Sequence, residues 1–254
     1  MALMMPSAAD SISSSGSRAA MVTPIVALDV PDMTRARAIV AQLGASCGFY
    51  KVGLELFAAE GPAVVTWLRE AGKEVFVDLK LHDIPNTVRS AARSVARHGA
   101  SLLTVHASGG TEMIRAAVEG ANEASDGGCG ILGVTILTSL DASGVEQAWG
   151  RSAVSVKDEV IRLAGLVRSA SAVGVVCSGH EAAAVRAAYG PTLSTLVPGI
   201  RLAGGDAHDQ RRVMTPAEAA AAGARWLILG RAVTGASDPL SAMESVRSAL
   251  AQGA

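Results

Sequence analysis

Aromatic residues make up only 3% of this chain, and the shortage limits how its core can be built. A core with so few rings must be aliphatic and alanine-rich, as in helices packed closely on a parallel sheet. Cysteine is also sparse: Cys47, Cys129 and Cys177 form an odd, widely spaced set. That pattern argues against a disulfide framework and predicts buried, reduced thiols of a cytosolic protein. No pair of histidines or cysteines has metal-site spacing, so no metal is required by the sequence.

Net charge is nearly absent, a formal −1 at pH 7. There is no basic stripe to suggest nucleic acid and no like-charge block to suggest an interaction tail. A small anionic substrate would need only a local positive pocket, which net charge does not reveal. Long apolar runs are missing as well; none reaches the ~18–20 residues that span a bilayer. The opening MALMMPSAADSISSSGSRAA lacks periodicity, and it lacks the charge and apolar core of a signal peptide. Residues 1–22 are therefore read as a disordered extension, with Met21 an alternative start, and residues 23–254 as one folded domain.

Hydrophobic residues are plentiful, at 50%, and 27 glycines accompany them. From Thr23 onward apolar strands alternate with alanine-rich helices. Strands are predicted at Ile25–Val30, Phe49–Leu54, Glu74–Leu81, Leu102–His106, Ile131–Leu137, Gly174–Cys177, Thr195–Val197 and Trp226–Leu229. Helices are predicted around 32–43, 57–71, 86–98, 111–124, 157–170, 180–188, 215–222 and 238–251. This alternation predicts an α/β fold, a single closed (β/α)8 TIM barrel. An open doubly wound sheet would want a glycine-rich fingerprint after the first strand, and Leu28-Asp29-Val30-Pro31-Asp32 has none.

Chemistry in such a barrel gathers at the carboxyl ends of the strands. Reading only those positions yields Asp29, Lys51, Asp78 with Lys80, His106, Thr138 with Ser139, Ser178, Arg201 and Arg231. The densest stretch is Val77-Asp78-Leu79-Lys80-Leu81-His82-Asp83-Ile84-Pro85-Asn86-Thr87. Period-two alternation puts Asp78 and Lys80 on one strand face. Asp83 follows just past the strand, and Pro85 suits the first turn of a helix. Alone, this would be an ordinary surface ion pair of little energetic weight. With Lys51 it becomes an alternating array in which neighbours favour each charged form. A fixed ammonium can deliver a proton to a developing carbanion, and a carboxylate beside a substrate carboxylate would favour loss of carbon dioxide.

The far end of the site looks built for an anion. Val197-Pro198-Gly199-Ile200-Arg201 closes strand seven, Gln210-Arg211-Arg212 follows, and Leu229-Gly230-Arg231 closes strand eight. Glycine lets backbone N–H groups approach a phosphate, and arginine offers a two-pronged fork to its oxygens. Gly204 and Gly205 could hinge a lid that excludes water. His106 reads either as an acid/base or as a hydrogen-bonded structural residue.

Together these residues resemble the bacterial type of the orotidine 5'-phosphate decarboxylase family. The likeness runs from Pro24 to the end of the chain. It is carried by Val26-Ala27-Leu28-Asp29, Lys51-Val52-Gly53, Asp78–Thr87, Val105-His106-Ala107-Ser108, Leu137-Thr138-Ser139, Pro198-Gly199-Ile200-Arg201, Asp209-Gln210-Arg211-Arg212, Met214-Thr215-Pro216 and Gly230-Arg231. The resemblance implies a cytoplasmic homodimer that converts orotidine 5'-monophosphate to UMP and carbon dioxide without metal or organic cofactor. It implies Lys80 as proton donor to C6, Asp78 beside the leaving carboxylate, and Lys51 completing the array and contacting the ribose. Asp29 would bind a ribose hydroxyl and Thr138, or else Ser139, the nucleotide. Arg201, Gln210, Gly230 and Arg231 would enclose the phosphate. Asp83, Ile84 and Thr87 would contact substrate, with Asp83 and Thr87 completing the neighbour's site across the dimer.

Two rivals share features of the chain. Metal-dependent relatives on the same barrel, such as 3-keto-gulonate-phosphate decarboxylase or hexulose-phosphate synthase, resemble it in D-x-K-x-x-D. They place a metal-binding glutamate at the end of strand two, where this chain has Lys51. A non-catalytic barrel that only binds nucleotide phosphates is the other, and retention of every charged member of the array speaks against it.

Overall fold

Eight parallel strands close into one barrel in the order of the sequence. They are β1 (Thr23–Leu28), β2 (Phe49–Val52), β3 (Glu74–Leu81), β4 (Leu102–His106), β5 (Gly130–Val134), β6 (Gly174–Val176), β7 (Ser194–Val197) and β8 (Trp226–Leu229). β1 pairs with β8 from Thr23↔Trp226 to Val26↔Leu229, which closes the ring. The computed structural model describes residues 22–202 and 214–252. All of the proposed extension except Val22, the glycines Gly204 and Gly205, and Gln210 lie outside the described residues.

Alternation along each strand sorts side chains between two apolar regions. Ile25 and Ala27 point into the barrel with Phe76, Leu102, Leu132, Leu196 and Ile228. Val26 and Leu28 point outward to the layer between strands and helices, the larger core. In the interior Phe76 is the fully buried ring among the described residues, with Phe49 and Trp226 half-buried against the same cluster. Small residues set the spacing of the outer layer. A Cβ on Gly133 of β5 would lie 2.2 Å from Val167 Cγ2, so the helix Val156–Ser169 packs directly on that strand. A Cβ on Gly120 would lie 2.1 Å from the Arg89 carbonyl oxygen, where two helices approach backbone to backbone. All three cysteines are buried and outside any disulfide, and burial pushes the Cys129 thiol up to about 12.

Several sequence expectations need correction, among them the strands expected over Ile25–Val30 and Ile131–Leu137, which end at Leu28 and Val134. The helix expected over 57–71 is two helices, Leu54–Glu60 and Ala63–Glu70. Gly61 ends the first at φ 62°, and Pro62, which has no N–H, starts the next. The second strand accordingly stops at Val52 rather than Leu54. Short helices at Ala142–Trp149 and Arg231–Thr234 were not expected. A further correction, at the end of β3, belongs to the site. Among the described residues no helix is long and apolar enough to cross a membrane.

Candidate active site

A cavity of about 620 Å³ opens at the carboxyl ends of the strands. Its floor is apolar, with Ala27, Phe76, Val134, Ile136, Val176, Leu196 and Ile228. Its wall carries Asp29, Lys51, Asp78, Lys80, Thr138, Ser139, Arg201, Gly230 and Arg231, so strand ends far apart in sequence converge there. A larger cavity, about 1190 Å³, lies at the opposite end, lined by strand starts such as Thr23, Phe49, Glu74 and Ser194. It gathers none of those rim residues.

Four charges alternate across the neighbouring ends of β1, β2 and β3. Lys51 Nζ stands 2.7 Å from Asp29 Oδ1 and 3.8 Å from Asp78 Oδ2. Lys80 Nζ donates to the same Asp78 Oδ2 at 2.9 Å. Lys51 and Asp78 are mostly shielded, their side chains only 9% and 14% exposed. Shielding on this scale leaves the pair less screened by salt than a surface bridge. A Cβ on Gly53 would press to 2.8 Å from Asp29 Oδ1 and 2.9 Å from Lys51 Nζ, so glycine keeps that contact open.

Within one chain the fourth member of this array is Asp29, not Asp83. Asp83 is exposed, and its Oδ1 accepts from the N–H of Ile84. Ile84 and Thr87 are exposed beside it, Ile84 at the N-cap and Thr87 in the first turn of the helix Pro85–Arg97. None of the three lines the chain's own cavity.

The end of β3 departs from simple alternation. Its pairing with β4 shifts register between Val77 and Leu81, and Lys80 adopts φ 51°. A left-handed backbone costs a residue with a Cβ about 1–2 kcal/mol. Such positions persist where surroundings hold them, commonly at functional sites. Here the holder is Thr104 in β4, fully buried, which sequence reasoning passed over. Its Oγ1 accepts from the Lys80 N–H at 2.9 Å and donates to Asp78 Oδ1 at 2.9 Å. The one available signal was a hydroxyl at the middle of a strand, flanked by aliphatic Leu102, Leu103 and Val105.

The other wall is positive. Burial first, and then the neighbouring Arg231, push the Arg201 guanidinium below its ordinary value. Two guanidiniums that disfavour each other form a seat that an anion relieves. Gly230 caps the short helix Arg231–Thr234, and both Gly230 and Arg231 line the cavity. Thr138 and Ser139 both border the cavity, and the geometry does not choose between them. His106 stays out of the cavity wall, its ring 5.5 Å from that of His82 in a tilted arrangement.

An ammonium and a carboxylate in contact, above an apolar floor and across from two arginines, suit proton delivery to an anionic substrate. Residues 23–246 match the family described as Orotidine 5'-phosphate decarboxylase / HUMPS family. A protein named orotidine 5'-phosphate decarboxylase from Anaeromyxobacter dehalogenans is 51% identical over 224 residues, covering 88% of this chain and 96% of that one. One of the same name from Paramagnetospirillum magneticum is 47% identical over 235 residues, covering 91% and 99%. The crystal structure of the Lactobacillus acidophilus orotidine 5'-phosphate decarboxylase superposes with a TM-score of 0.80 at 33% identity, covering 90% of this chain and 99% of that one.

Proposed function

The chain belongs to the orotidine 5'-phosphate decarboxylase / HUMPS family and is a carboxy-lyase of it; we propose that Lys80 drives its reaction by protonating C6 of orotidine 5'-monophosphate. The bond from C6 to the carboxylate breaks, carbon dioxide leaves, and the electron pair stays on C6. The Lys80 ammonium places its proton there, and UMP results. The observation that carries this reading is the continuous run Asp29–Lys51–Asp78–Lys80 at the cavity rim. Asp78 holds the Lys80 ammonium in place and presents negative charge to the departing carboxylate. That repulsion is relieved as the carboxylate becomes neutral carbon dioxide, so it acts in the direction of the reaction.

Lys51 and Asp29 would hold the ribose hydroxyls, and Thr138 the nucleotide. Arg201, Gly230 and Arg231 would seat the phosphate, joined by Gln210, which follows β7 in the sequence. Asp83, Ile84 and Thr87 stand exposed outside their own cavity, which supports their working in the second site of a homodimer. A catalytic domain over 23–254, apart from residues 1–22, accords with the span of the family match. A cytoplasmic place in the synthesis of UMP follows from the reaction proposed.

The metal-dependent branch is disfavoured by Lys51. Its ammonium stands between Asp29 and Asp78, the position a divalent cation would need, and like charges repel there. The deciding measurement is loss of orotidine 5'-monophosphate absorbance in the ultraviolet, with and without EDTA. Equal rates in both are expected. Strict dependence on magnesium would reverse the assignment, and nucleotide binding without turnover would reduce the protein to a binding barrel.

A further inference from the structure

Thr104 sits one layer behind the reacting pair: it is fully buried and absent from the cavity wall, yet bonded to both Lys80 and Asp78. Leu103 and Val105 face the outer core, so alternation turns Thr104 toward the barrel axis, above Leu102. A valine there would keep the same branched shape and the same preference for a strand. Strand formation therefore leaves the hydroxyl unexplained.

The hydrogen bonds explain it. Between Val77 and Leu81 the ladder to β4 slips, and the Lys80 N–H finds Thr104 Oγ1 at 2.9 Å. An amide can only donate, so that oxygen must accept, and its single hydrogen is left for another acceptor. Asp78 Oδ1, at 2.9 Å, is that acceptor. The other carboxylate oxygen, Oδ2, faces Lys80 Nζ at 2.9 Å and Lys51 Nζ at 3.8 Å. One hydroxyl thus fixes the left-handed backbone from which Lys80 projects and the plane in which Asp78 lies. Without it, the carboxylate could turn about its last bond and the lysine could relax toward an ordinary strand conformation.

We infer that Thr104 is a positioning residue for decarboxylation, holding proton donor and carboxylate in register without touching substrate. The inference rests on the reading of Lys80 and Asp78 as the reacting pair. Its prediction separates the chemical step from binding, because the phosphate and ribose contacts lie on other strands.

The test compares wild type with Thr104→Val and Thr104→Ser in steady-state turnover of orotidine 5'-monophosphate, with competent sites counted by UMP titration. For Thr104→Val, kcat per site should fall about ten- to hundredfold, the scale of a small misplacement of reacting groups. KM should rise no more than about threefold, since the phosphate and ribose contacts that supply binding lie on other strands. Thr104→Ser, which keeps the hydroxyl, should recover most of the loss. A purely structural role would lower the number of sites and leave turnover per site unchanged. Wild-type kcat per site in Thr104→Val, a raised KM with unchanged kcat, or a serine variant as slow as the valine one would overturn the inference. If Thr104→Val gives no UMP-binding protein, Thr104→Ala carries the same expectation and the same refutation. An inactive wild type would instead defeat the proposed reaction, so the two failures are distinct.

Discussion

The two ends of this barrel teach different things. The amino-terminal end holds the larger cavity, about 1190 Å³ against about 620 Å³ at the carboxyl end. Charge at the lower end is of the ordinary surface kind: Glu74 meets Arg69 at 3.8 Å with both side chains 43% exposed. Pairs of that kind contribute ~0–1 kcal/mol at most. At the upper end Lys51 and Asp78 are largely shielded and belong to a run of four alternating charges. Cavity size therefore does not mark the site. Chain direction does, because every strand delivers its last residues, and the loop after them, to the same rim.

The sharpest way to break the comparison is at Lys80. Lys80→Ala should remove nearly all turnover, by roughly 10²–10⁴-fold or more, the range a positioned general acid supplies. Substantial residual decarboxylation in a direct carbon dioxide assay would mean that another group delivers the proton. Next in size is Arg231→Ala. Loss of a charged hydrogen bond to phosphate should lower kcat/KM about 10–100-fold. Part of that loss should appear in kcat, because binding energy remote from C6 can be used to organise the reacting end. A raised KM with wild-type kcat would show that the phosphate end only binds.

Much of this rim was legible because strand periodicity and chain order do most of the placing. In β1, Ile25 and Ala27 face one side and Val26 and Leu28 the other, as period-two alternation in any strand requires. Pro85 opens its helix because a missing N–H does no harm in the first turn. What escaped notice depends on contacts between distant segments. No local signal tells that Lys80 will turn left-handed, since lysine has no preference for that region. Thr104 is 24 residues from Lys80, and only the closed sheet brings them together. Asp29 was legible as a rim residue, but its direct contact with Lys51 needed the register of β1 on β2, where Ala27 pairs with Lys51. The break at Gly61-Pro62 was readable in the sequence, and helical periodicity on both sides concealed it.

The lower end offers the converse test. Cys47 lines the larger cavity, is buried, and has its thiol pushed up, chiefly by burial. Cys47→Ala should cost about 1 kcal/mol of stability, as small core truncations do. For a chain of this size that is a fall in Tm of about 2–4 °C. Turnover should stay at the wild-type value. A loss of kcat comparable to that of Arg231→Ala would erase the distinction between the two ends.

The smallest effect concerns His106, at the rim but outside the cavity wall. Burial first, then His82 and Lys80, push its imidazole below the ordinary value, while Asp78 pulls the other way. The unfolded chain takes up this proton near the ordinary value of about 6.5, and the folded chain only at lower pH. Between those two values the unfolded state binds more protons, so stability rises with pH there. Read downward, the contribution is complete above about pH 6.5 and is lost as pH falls toward the folded value. His106→Asn removes the titrating ring. Denaturant unfolding of the two proteins at about pH 7.5 and about pH 5 should therefore show the larger loss in wild type. Parallel losses would mean that another group carries the pH dependence, and that the upper rim's charges do not reach His106.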